Sequence, residues 1–85
     1  MATREELADE LARDVIKAMA ETGEDRLWEA VSKVIGTSSP TTQEAFVTAM
    51  RIRLAEQRGR RFLEERVAEL LRQKQSGGPD TTGKP

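Results

Sequence analysis

Apolar residues recur at three- and four-residue steps along most of this chain, and that period predicts helices and no strands. In the first segment Leu7, Ala8, Leu11, Ala12, Val15, Ala18 and Met19 make one stripe of an amphipathic helix over residues 4–21. Thr3 and Glu6 have the Thr-x-x-Glu spacing that satisfies two free N–H groups at a helix start, and Gly23 suits a left-handed C-terminal cap. A shorter helix follows over 24–35. Glu24 and Asp25 stand in its first turn, Leu27, Trp28, Val31, Val34 and Ile35 form its buried face, and Gly36 ends it.

Thr37, Ser38, Ser39, Pro40 and Thr41 break the pattern, because Pro40 disfavours helix at Ser39 and is itself suited to a helix start. A long helix is predicted over 42–74, with Thr41 and Glu44 repeating the capping spacing and Gly59 its one weak point. At 1.5 Å per residue it would span roughly 50 Å. From Ser76 the chain turns to Gly, Pro, Asp and Thr with no large apolar residue, so residues 76–85 read as a disordered tail and 1–75 as one helical domain.

At 100° per residue Ala45, Ala49, Ile52, Gly59, Leu63, Val67 and Leu70 share one stripe along the whole third helix, while Phe46, Val47, Met50 and Leu54 form a second face confined to its first half. The first half is therefore expected in the centre of the fold. Two short helices cannot cover all of the third, and Phe62, Leu63, Val67, Leu70 and Leu71 left in water would form an unusual apolar patch. The predicted fold is an all-α, three-helix chain forming a helical dimer. Its predicted interface is Ile52, Gly59, Phe62, Leu63, Val67, Leu70 and Leu71. The alternative is a four-helix monomer with a break at Gly59. The continuous helix is preferred because a lone Gly costs about 1 kcal/mol in a helix, whereas burying five large apolar side chains yields about 1.5 to 3 kcal/mol each.

Composition narrows the functional classes. Eighty-five residues bury only a modest core, so help from a partner subunit is a reasonable expectation. The absence of Cys and His removes disulfides, thiolate and imidazole metal sites and the usual near-neutral base. No cofactor, metal site or catalytic residue is expected. Nothing in the sequence resembles a signal peptide or a membrane span, so a cytoplasmic location away from membranes is the default expectation. Ten Arg against four Lys, with abundant Ala, suggests a GC-rich bacterial or phage genome. The net charge of −1 conceals a split: residues 1–44 carry ten acids and five bases, residues 45–74 eight bases and four acids. Complementary potentials of that kind favour close approach of the two parts, within a chain or between chains.

Arg51, Arg53, Arg58, Arg60 and Arg61 are the candidate contacts to nucleic acid or an acidic partner, since guanidinium groups pair well with phosphates. Glu56, Glu64 and Glu65 lie four residues from Arg60 or Arg61, which makes a salt-bridged surface the plainer explanation. The arginines also scatter round the helix, and stacking aromatics are almost absent. A helix-turn-helix over 24–54 is disfavoured, because the connection through Pro40 exceeds a three- or four-residue turn and Phe46 and Val47 follow the start of the third helix closely. The acid pairs Glu5-Glu6, Asp9-Glu10 and Glu24-Asp25 read as solvated faces and first-turn acids. Two ridges of the first helix, Glu5, Asp9, Arg13 and Glu6, Glu10, Asp14, are mainly negative and offer a surface that could dock a basic protein or mimic nucleic acid. Trp28 shares a face with Val31 and Ile35 and reads as core. Ser32, Ser38 and Ser39 have no activating base. The expectation is a non-catalytic protein–protein interaction module, an adaptor, assembly factor or small regulator, that associates with itself and with another protein. The alternative is a nucleic-acid-associated regulator using the 51–61 cluster.

Overall fold

A computed structural model describes residues 1–77, with side chains as far as residue 76. The described residues form three helices: α1 (Arg4–Thr22), α2 (Leu27–Ser38) and α3 (Pro40–Gly77). They contain no strand, and no helix among them is long and apolar enough to cross a membrane. The chain divides into two units, residues 1–55 and residues from 56 onward.

α1 begins at a complete capping box. The Glu6 N–H donates to Thr3 Oγ1 at 3.0 Å, and the Thr3 N–H donates to Glu6 Oε1 at 2.8 Å. It ends at Gly23, whose φ of 76° lies in the left-handed region that a side chain disfavours and whose N–H donates to the Met19 carbonyl at 2.9 Å. The buried face is Ala8, Ala12 and Val15, with Ile16 and Met19 partly buried. Leu7 and Leu11, expected on that face, are instead 56% and 38% exposed. The helix is turned so that its alanines meet α3. Small side chains there let the two backbones approach, and Phe46 and Met50 fill the contact.

α2 starts at Leu27, three residues later than expected. The Leu27 N–H donates to the Glu24 carbonyl at 3.2 Å, so residues 24–27 form the turn that carries the chain from Gly23 into the next helix. Gly36 does not end α2, which continues to Ser38. A Cβ at Gly36 would lie 2.7 Å from the Gln43 carboxamide, and that carboxamide donates to the Ser32 carbonyl at 3.0 Å and to Ser32 Oγ at 3.2 Å. The glycine therefore serves the packing of α2 on α3 rather than a helix end. Val34, also expected inside, is 70% exposed, while Leu27, Trp28, Val31 and Ile35 pack partly buried against the core.

Ser39 alone connects α2 to α3. Its N–H donates to the Ile35 carbonyl at 2.9 Å, closing α2. Its Oγ accepts the Thr42 N–H at 3.1 Å and donates to Thr42 Oγ1 at 2.8 Å, opening α3. Pro40 is thus the first residue of α3, two residues earlier than expected. The cap is Ser39 rather than Thr41, and the connection is shorter than a helix-turn-helix turn, not longer. α3 is a single helix from Pro40 to Gly77, helical at residues 57–60, Gly59 included. Ser76 and Gly77, assigned from sequence to a disordered tail, belong to α3; the rest of that tail, 78–85, lies outside the described residues.

The core of residues 1–55 is small: Ala8, Ala12 and Val15 of α1 with Phe46, Ala49 and Met50 of α3, Phe46 and Met50 being the largest fully buried side chains. Every residue from 55 to 76 is exposed.

Candidate functional site

Two surfaces carry chemistry that the core does not use. The first is on α3 beyond residue 56. Phe62, Leu63, Val67, Leu70 and Leu71, with Ile52 before them, are all expected interface residues, and all are between 43% and 63% exposed. Apart from Gly59 and Ala68, the other residues of 56–76 are polar. A Cβ placed at Gly59 would meet nothing within 4 Å, so this glycine has open space beside it. The Arg66 guanidinium stands 5.1 Å from the centre of the Phe62 ring, within cation–π range, and 3.7 Å from Glu69 Oε1. These polar neighbours border the strip without covering it.

The second surface is a groove of about 400 Å³ in the unit formed by residues 1–55. Arg4, Glu5 and Asp9 of α1 form one wall, and α3 supplies Thr41, Glu44, Ala45, Thr48, Ala49 and Ile52. The small Ala45 and Ala49 leave the space, and Ile52 makes its end apolar. Asp9 is held by a bidentate contact with Arg53, whose Nε and Nη2 donate to its two carboxylate oxygens at 2.7 Å each. The Arg53 hydrogen bonds hold the Asp9 carboxyl below its ordinary value of 3.8 against a smaller opposing effect of desolvation, and the charges of Arg53 and Arg13 add to the lowering.

The five candidate arginines differ in the partners they engage. Arg53 reaches across to α1, and Arg60 Nε donates to Glu56 Oε2 at 2.8 Å on the same helix. That bond, with the charge of Glu56, raises the pKa of Arg60. Arg51, Arg58 and Arg61 are exposed. Among the described residues no group of three or more acids is placed to hold a metal ion. The acidic ridges of α1 are exposed apart from Asp9, which Arg53 engages.

The groove was not legible from sequence, because a helical period reports one helix at a time and the groove needs two. Asp9 and Arg53 are 44 residues apart, beyond any spacing rule for pairs on one helix. The one available signal was the run of small residues Ala45 and Ala49 beside Ile52. No family model matches this chain, and no curated protein and no solved structure shows significant similarity to it.

Proposed function

We propose that this protein is a non-catalytic helical interaction module that associates with itself through the C-terminal part of α3, as an adaptor, assembly factor or small regulator of another protein. The observation that carries this reading is the strip Phe62, Leu63, Val67, Leu70 and Leu71, five large apolar side chains within ten residues, each at least 43% exposed. Such a strip is costly in water. Covering it with a second copy removes that cost. The lack of Cys and His, which leaves Ser32, Ser38 and Ser39 with no imidazole base, supports a binding role over catalysis.

Leu63→Asp combined with Val67→Asp places two charges per copy in the strip and is expected to convert a dimer to a monomer in analytical ultracentrifugation, while residues 1–55 keep their helices. A wild-type chain that sediments as a monomer at high concentration overturns the reading.

Nucleic-acid association is the competing reading, favoured by the exposure of Arg51, Arg58 and Arg61. Arg53 and Arg60 support it less, since carboxylates already engage them. It requires steeply salt-dependent binding to DNA or RNA that Arg58→Glu with Arg61→Glu abolishes while self-association survives. A chain that binds neither duplex nor single strands at low salt eliminates it.

A further inference from the structure

Resting on the self-association just proposed, we infer that the receptor for the exposed strip is the α1/α3 groove of a second copy, so that each chain of a dimer inserts its residues 59–74 into the other's groove. The alternative geometry, strip against strip, leaves the groove empty.

Three observations favour the groove. The first is chemical fit: its floor offers Ala45, Ala49 and Ile52, small and apolar, to a helix face bearing the larger Leu63, Val67 and Leu70. Large side chains seated over small ones are the arrangement that lets two helices pack closely. The second is charge. Glu5 and Glu44 stand on opposite walls of the groove. At 100° per residue Arg60 and Arg66 stand on either side of Leu63, Val67 and Leu70, with Lys74 in line with those three, although Glu56 and Glu69 on the same helix already engage Arg60 and Arg66. Outside the Asp9–Arg53 pair the groove carries Glu5 and Glu44 against Arg4, and residues 59–74 carry five bases and three acids. An acidic groove receiving a basic helix draws those surfaces together. The third is area. A single half-exposed strip offers on the order of 500 Å², short of the roughly 800 Å² that each partner contributes to a standard interface. When each chain gives a strip and also receives one, both of its surfaces are buried and the groove's lining adds to the strip's area. Such an exchange is isologous, as a closed two-fold dimer requires.

Two full-length variants test the assignment. Glu44→Lys with Thr48→Lys adds cations to the groove at two exposed positions, and Leu63→Asp with Val67→Asp adds anions to the strip. The groove variant alone is expected to dimerise at least about tenfold more weakly than wild type, and the strip variant alone to be monomeric. An equimolar mixture is expected to restore a dimer, because the native strip of one copy meets the native groove of the other and the altered pair is itself oppositely charged. A groove variant that dimerises as tightly as wild type, beside a monomeric strip variant, overturns the groove while the proposed self-association stands. Two monomeric variants that stay monomeric on mixing overturn it equally. A monomeric wild type overturns both. Far-UV circular dichroism of each variant confirms retained helix, and Glu5→Lys, on the α1 side of the groove, is a second variant expected to weaken the dimer if the first does not fold.

Discussion

Asp9 and Phe46 do different work at the α1/α3 contact. Asp9 is a partly exposed acid whose two oxygens are both taken by Arg53. Because its folded pKa lies below 3.8, the pair's contribution to stability is fully present above about pH 4 and is lost as pH falls through the lowered folded value. Asp9→Asn should therefore flatten the acid limb of a stability-versus-pH curve below about pH 4, and an unchanged limb would show that the pair contributes nothing. Phe46 is fully buried and packs where α1 meets α3. Phe46→Ala is expected to lose about 3 to 5 kcal/mol, comparable with the whole stability of a small domain, and to unfold residues 1–55 at room temperature by circular dichroism. Val34→Ala is the matched control: at 70% exposure it should shift stability by no more than about 0.5 kcal/mol.

Between elements, the clasp of Ser32, Gly36 and Gln43 holds α2 on α3. Gly36→Ala alone sets two effects against each other: about 1 kcal/mol gained in helix propensity, and the displacement of a carboxamide whose two bonds to Ser32 are worth a similar amount. In wild type the net change should be near zero. After Gln43→Ala, which itself should cost about 1 kcal/mol, the same Gly36→Ala should stabilise by about 1 kcal/mol; additive effects in urea unfolding would show that the contact carries no coupling. The connection at Ser39 is similarly economical, one residue ending a helix and starting the next. Ser39→Ala removes the hydroxyl that caps α3 and should destabilise by about 1 kcal/mol. Helix count and both ends of α1 were legible in the sequence because their signals are local: the Thr3 and Glu6 box and the left-handed Gly23; Pro40 marked the break before α3, but the start was placed two residues late. The ends of α2 were not. Gly36 and the acids Glu24 and Asp25 carry the usual boundary signals, yet Gly36 is held inside the helix by Gln43, eleven residues from the Ser32 it bonds, and the acids are taken up by the turn out of α1.

At the scale of the whole molecule, few buried residues must hold many exposed ones. Six buried apolar side chains form the core of residues 1–55, and residues 55–76 bury none. With the self-association proposed here, stability depends on concentration, because binding that favours only the folded state adds to its stability by mass action. The thermal midpoint should rise with concentration, about 2.7 kcal/mol of stabilisation per dimer accompanying a hundredfold increase above the dissociation constant, and Leu63→Asp with Val67→Asp should remove that dependence. A midpoint that does not move over this range contradicts the dimer.

What this sequence determined unaided was the set of helices and the amphipathic strip of α3, because periodicity, capping and glycine or proline chemistry act within a few residues. Tertiary structure decided which edge of each apolar stripe is buried. A stripe spans a wide arc, and only the neighbour's volume and approach choose between Leu7 with Leu11 and Ala8 with Ala12, or leave Val34 outside. It also decided the Asp9–Arg53 pair and the groove, since both are made by residues that meet only when α1 lies against α3.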